Sequence, residues 1–350
     1  MVKPKSPIKT IFRQRIYFLS EILIVLLGIV LFLLIPLSLN LFIGLNNLAK
    51  GLLYYLIKAL LLVLAIPILF YVSNFALESR RKTIILSGDI SPTKNFINLF
   101  KISKTNFKYQ ILFGLLLLFL VFIPFDFLTY FFFPETFEFY RKLLTPNVYN
   151  SYLLQPYSFF LASVIIIQIS VAIYEESFVR GFLSNRGSDY VPKTSAVIIS
   201  SFYWGLGHFA YILSGVEVPL SFLFLWFLQA FIIGIILALF TLRKRWIFPA
   251  IFAHAVNNII TTHSIWNYLQ GNDFTFLTFY LYIPLLLISL GLFFWQFSRI
   301  KESIISGLKE LLTYFKRDKD IKEEPLDVVI RIMLDFLLGL IIFAIGIIIL

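Results

Sequence analysis

The sequence predicts an all-α fold: a polytopic helical membrane protein with about nine transmembrane helices, or eight if one hydrophobic run fails to cross. Three observations predict it. The 350 residues are 59% hydrophobic with a mean hydropathy of +0.89 and only 14% charged, where a soluble domain carries about 25%. The apolar residues come in runs of roughly 20 or more, the length that crosses a ~30 Å hydrocarbon core as a helix. Lysine and arginine collect between those runs, on alternate connections.

Taken in order, the expected spans are 17–46, 51–77, 109–133, 158–183, 195–213, 221–242, 246–262, 274–298 and 327–350. The first follows a basic leader (Lys3, Lys5, Lys9, Arg13, Arg15) and lacks a small-residue cleavage pattern, so it reads as a retained helix. The first two runs exceed the crossing requirement and are expected to tilt or project past the interface. The third, fourth, fifth and sixth are bounded by charged or Pro/Gly-containing connections. The seventh starts at Trp246 and carries His254, Asn257 and Asn258. Residues 299–325 are not read as a span. Ile300, Ile304, Ile305, Leu308, Leu311, Leu312 and Phe315 recur at helical spacing among Lys and Glu, as in an amphipathic helix lying on a membrane surface.

Charge placement orients these spans. Five basic residues lie in the leader, seven in 79–108, three in 180–193, three in 243–245 and eight in 299–331, leaving only Lys50, Lys58, Arg141 and Lys142 of the 30. This bias predicts a cytoplasmic N-terminus and a C-terminus on the other side. It also explains the net charge of +11 without nucleic acid, because the basic residues do not form one patch. The usage of Lys, Ile and Asn, with no eukaryotic targeting signal, points to a prokaryotic cytoplasmic membrane. Cysteine is absent, so disulfides and cysteine-based nucleophiles or metal sites are excluded. Three regions are expected: N-terminal membrane helices with a cytoplasmic connector over 1–157, a polar-site helix core over 158–262, and C-terminal helices with the surface segment over 263–350.

The polar residues inside the spans carry the chemistry. A carboxylate in hydrocarbon costs roughly 2.5–3.5 kcal/mol on insertion scales, so an intramembrane ionisable group is a functional candidate by default. Glu175 and Glu176 stand together in the fourth run. Glu176 and Arg180 are four apart and share a helix face, acid before base, so Arg180 is read as the neutralising partner of Glu176. Glu175 is turned about 100° away and is left without a local partner. In the fifth run, Trp204-Gly205-Leu206-Gly207-His208 places Trp204 one turn from His208, beside two glycines that permit close approach of a neighbour. In the seventh, His254 and Asn258 stand at i and i+4 on one face, a donor pair suited to a developing oxyanion. Asn257 falls on a different face. Each motif has a bland alternative: an ion-pair knot for the glutamates, an interhelical hydrogen bond for each histidine. Counted from the helix ends on the basic side, Glu175, His208 and His254 lie roughly 17, 20 and 12 Å deep. One site about halfway across the membrane is therefore allowed, and it is expected to open toward the basic side.

Together the three blocks, Glu-Glu-x-x-x-Arg, aromatic-x-x-x-His and His-x-x-x-Asn over residues 175–258, resemble the CAAX protease and bacteriocin-processing (CPBP, Abi) family of intramembrane endopeptidases. The second block has Trp204 where that family usually has Phe; the other two fit fully. The resemblance implies a hydrolase in which Glu175 activates water, His208 helps hold it, His254 and Asn258 bind the oxyanion, and Glu176 and Arg180 support. It implies a membrane-associated peptide or protein substrate, prenylated or leader-like, alongside membrane lipid. It also raises zinc, held by His208, His254 and Glu175. The absence of a His-Glu-x-x-His helix and the presence of Asn258, a poor zinc ligand, favour a glutamate mechanism with no cofactor. Two other readings stay open: a transporter using the same residues as an ion relay, and a non-catalytic membrane scaffold. A transporter would more often show matching broken helices in two halves, and none is visible.

Overall fold

The computed structural model describes residues 6–38, 41–81 and 91–349. Lys3, Lys5 and Lys82, counted above among the basic residues, lie outside the described residues. The described chain is helical throughout, with no strand. Its elements are α1 (Pro7–Ser38), α2 (Asn47–Arg81), α3 (Pro92–Leu99), α4 (Phe107–Phe132), α5 (Thr136–Leu144), α6 (Tyr157–Tyr190), α7 (Lys193–Leu213), α8 (Leu220–Lys244), α9 (Phe248–Leu269), α10 (Phe274–Trp295), α11 (Phe297–Leu312) and α12 (Pro325–Ile349).

Eight of these, α1, α2, α4, α6, α7, α8, α10 and α12, are long and apolar enough to cross a membrane. The ninth expected segment, α9, is a helix of 22 residues and long enough. Its histidines and asparagines keep it below the apolar composition of the others. α9 packs against α6 and α4, placing it inside the bundle. A polar helix is tolerated there because its neighbours, not lipid, surround it. α11 has no buried residue among its 16, as expected of a helix resting on a surface.

Several boundaries differ from the sequence expectation, and buried ion pairs explain why. α1 begins at Pro7 rather than at 17, because Arg15 is buried and reaches Asp335 of α12 at 2.8 and 2.9 Å. α6 runs to Tyr190 rather than stopping at 183. Arg186, which reads as a loop cation, is buried and bonded to Glu21 of α1 at 3.1 Å and to Asp189 at 2.8 Å. Buried charge is accepted only when paired in this way. The pairs tie α1, α6 and α12 into one body.

Residues Ser177–Ser184 of α6 form a π-helical stretch directly after the two glutamates. All eight are buried. Wide turns of this kind are frequent at functional sites. Of the two glycines flagged in α7, Gly205 is the packing one. A Cβ there would stand 3.0 Å from the Phe227 carbonyl oxygen, so α7 and α8 are in close contact. Gly207 meets nothing within 4 Å and opens into a cavity.

Candidate active site

The cavity has a volume of about 450 Å³ and is lined by residues of eight helices, α1, α2 and α4 to α9. Glu175 from α6, Trp204 and His208 from α7, and His254 and Asn258 from α9 all line it. Three segments far apart in sequence thus converge on one space. Glu176 and Arg180 do not line it; both side chains are fully buried behind the wall. The split between an exposed and a hidden glutamate follows helical phase, as the spacing predicts.

Glu175 is the more accessible acid, with 28% of its side chain exposed. Lacking a close partner on its own helix, it finds one on another. The Trp204 indole Nε1 donates to its Oε2 at 2.9 Å, and the Tyr174 hydroxyl stands 3.5 Å from its Oε1. A neighbouring helix supplies the first of these, so no local spacing could reveal it. Trp204 also takes the Arg180 guanidinium over its ring face, 4.2 Å from the centroid. The indole therefore links the buried cation on its face to the cavity acid at its edge. Desolvated cation–π contacts of this type contribute about 2 kcal/mol.

Glu176 has two partners. Arg180 Nε lies 3.2 Å from Oε2, an ion pair without an aligned hydrogen bond. The His254 Nδ1 lies 2.9 Å from Oε1. That second contact was not expected. A carboxylate on Nδ1 fixes the tautomer and orientation of an imidazole, leaving His254 Nε2 toward the cavity. Nε2 stands 3.9 Å from Glu175 Oε2, so one histidine sits between the two glutamates. The ring packs near-parallel to Phe122, with centroids 6.1 Å apart, and edge-on to Trp204 at 5.5 Å.

His208 Nδ1 is 3.2 Å from the Gly205 carbonyl oxygen, and its ring is tilted over Trp226 at 4.5 Å. Asn258 and Asn257 both face the same cavity. Helical phase alone sets Asn257 apart from Asn258, yet Asn257 is buried and its Oδ1 has no hydrogen-bond partner among the described residues. A second acid, Asp126 of α4, also lines the cavity. It accepts from Gln229 Nε2 at 2.9 Å and from Thr261 Oγ1 at 2.7 Å. Sequence reasoning missed it, although it is the sole carboxylate in its hydrophobic run and the rule that singled out Glu175 applies to it equally. Lys58 of α2 is a second missed group of this kind. It lines the cavity with its ammonium 4.6 Å from the Tyr174 ring centroid.

Zinc needs three or more converging donors with an open position. Among the described residues no three His, Asp or Glu side chains are grouped to hold a metal ion. His254 Nδ1 is already committed to Glu176 and His208 Nδ1 faces a backbone carbonyl. The donor set does not fit zinc as it stands, and no step is derived through a metal.

The cavity does not extend in the expected direction. From Glu175 and His254 its lining continues to Tyr130, Tyr140, Leu144, Asn150, Tyr152 and Tyr211. It therefore leads toward the 133–156 connection and away from the basic segments.

Residues 157–260 match the family model described as type II CAAX prenyl endopeptidase, Rce1-like. The matched segment runs from the start of α6 into α9 and includes all three sequence blocks, so this part of the chain is similar to the CAAX protease family. No curated protein and no solved structure matches the chain.

Proposed function

We propose that this chain is an intramembrane endopeptidase that hydrolyses a peptide bond of a membrane-associated substrate by a glutamate-dependent mechanism. The observation that carries the reading is the meeting of Glu175, His208, His254 and Asn258, from three helices, on one cavity inside the bundle.

In this reading Glu175 is the general base. Its position on the cavity wall lets it hold a water, with His208 as the second contact. Glu175 takes a proton as the water oxygen attacks the carbonyl carbon. The carbonyl oxygen gains the negative charge and is received by the Asn258 amide and by Nε2–H of a doubly protonated His254, whose Nδ1–H stays on Glu176. Preorganised donors in a water-poor site are worth far more than in bulk water. Glu176 holds His254 by Nδ1, so the ring presents its other nitrogen without reorganising. The proton on Glu175 then passes to the departing amine as the C–N bond breaks, and the base is regenerated. Arg180 pairs with Glu176 behind the wall without entering the cavity. The helix core over 158–262 is the catalytic unit, and the flanking helices frame it.

The test is cleavage of hydrophobic and lipidated peptides by purified protein in detergent or proteoliposomes, compared with Glu175→Gln. The amide keeps the shape and removes the base. Loss of a general base costs about 10²–10⁴ in rate, and the variant is expected to be folded and inactive. Full cleavage by a folded Glu175→Gln protein would sink the glutamate mechanism. The absence of cleavage in any wild-type preparation, with ion flux across the same proteoliposomes, would favour the transporter reading instead.

A further inference from the structure

The two ends of the bundle differ in charge and in closure, and together they assign a side to the cavity. One end gathers the basic segments. Ile247 N donates to the Leu99 carbonyl at 3.0 Å, joining the 245–247 connection to α3. Arg243 bonds Ser306 of α11 at 2.8 Å, Arg245 bonds Asn185 at the end of α6, and Tyr314 bonds Asp335 at 3.2 Å. The opposite end gathers the 133–156 connection. Tyr55 of α2 bonds Asn150 at 3.2 Å, Trp266 of α9 bonds the Gln155 carbonyl at 3.2 Å, and Tyr268 lies 3.4 Å from Glu138. The described connections at this end, 41–46, 133–156, 214–219 and 270–273, hold only Arg141 and Lys142 as cations, against Glu135, Glu138, Glu217 and Asp273.

The cavity is sealed toward the basic end. Beneath Phe178 and Val179 lies a packed layer of Phe18, Phe70, Phe96, Phe182, Leu183 and Tyr190, each at most 1% exposed. Its lining continues in the other direction, to Tyr140, Asn150 and Tyr152, and along α1 and α2 at Leu26, Ile29, Leu33 and Leu62. Lysine and arginine bias fixes which end of a polytopic protein stays cytoplasmic, and acidic residues contribute little to it. The basic end is thus the cytoplasmic end.

We propose that the active-site cavity is entered from the non-cytoplasmic side, so that the substrate is a translocated peptide segment at the outer leaflet and not a cytosolic tail. This rests on the peptidase reading for the word substrate, but the direction of access stands on charge and packing alone. Among the substrates weighed from sequence, it favours secreted leaders and outward-facing segments of membrane proteins.

The chain has no cysteine, so single cysteines can be read without background. Val148→Cys marks the 133–156 connection, where Val148 is 48% exposed. Gly207→Cys marks the cavity, where a Cβ meets nothing within 4 Å. Lys319→Cys marks the basic end. In intact cells, a membrane-impermeant maleimide is expected to label Val148→Cys and Gly207→Cys, and to label Lys319→Cys only after permeabilisation. Labelling of Lys319→Cys alone in intact cells overturns the proposal. So does labelling of Gly207→Cys only from the side that labels Lys319→Cys. Lys58→Cys is a second cavity probe if Gly207→Cys fails to accumulate. An impermeant peptide that is cleaved in detergent is then added to sealed vesicles. Right-side-out vesicles are expected to cleave it and inverted ones to leave it intact, and the reverse overturns the proposal. Failure to cleave even in detergent speaks against the peptidase reading, while the labelling pattern still reports the side of access.

Discussion

The indole Nε1 of Trp204 donates a 2.9 Å hydrogen bond to Oε2 of Glu175, from the same ring whose face covers Arg180 at 4.2 Å. A hydrogen bond to a charged acceptor contributes about 1.5–3 kcal/mol, enough to hold a cavity carboxylate in one orientation. Phenylalanine at this position keeps the aromatic wall and the contact with Arg180 but loses the donor. Trp204→Phe is therefore expected to remain folded, with kcat reduced roughly tenfold and KM little changed, because positioning of the base is what is lost. Steady-state kinetics on a cleaved reporter peptide measure this. An unchanged kcat would mean that the bond does not orient Glu175.

Glu176 sits where a charge cannot be lost cheaply. It is fully buried, with Arg180 Nε at 3.2 Å and His254 Nδ1 at 2.9 Å. Breaking a buried ion pair by removing one partner costs about 3–5 kcal/mol. Glu176→Gln should lower the melting temperature or the yield in detergent, and should also loosen His254. Folded but inactive Glu176→Gln, beside an active Glu175→Gln, would reverse the two roles.

Asn258 separates the glutamate and zinc mechanisms. As an oxyanion donor, its replacement in Asn258→Ala is expected to cut kcat by roughly 10²–10³. KM should move little, since the donor acts on the transition state. Under a zinc mechanism Asn258→Ala would be mild and His254→Ala would strip the metal. Elemental analysis of purified protein decides: about one zinc per chain, lost along with activity in His254→Ala, overturns the metal-free reading.

Much of the bundle was legible because membrane crossing imposes length and apolarity on each run, and both can be counted along the chain. The division of the glutamates was legible too, because Glu175, Glu176 and Arg180 lie within two turns of one helix. What escaped depends on partners distant in sequence. Arg186 reads as a loop cation until Glu21, 165 positions earlier, is placed beside it. The contact between Glu176 and His254 spans 78 positions, and the bond from Trp204 to Glu175 spans 29. Spacing within one helix cannot report such pairs. Asp126 is different: as the sole carboxylate of its hydrophobic run it is legible from sequence by the same rule that singles out Glu175. The direction of the cavity escaped because depth along a helix says nothing about which end of a bundle is packed shut.

The π-helical stretch Ser177–Ser184 lies between the glutamates and the anchor formed by Arg186 and Glu21. Its wide turns work as an angular offset, setting how far the acid-bearing half of α6 is rotated about its axis from the anchored half. One residue of an α-helix corresponds to about 100° of rotation. The site should therefore be more sensitive to residue count in this stretch than to residue identity. Substituting Ser177 by alanine leaves the register intact. Forcing these eight residues into an ordinary α-helix would over-rotate Glu175 relative to the anchor by about 100° and swing it off the cavity wall while every side chain of the catalytic set remained present; deleting one residue at the same time would restore the phase.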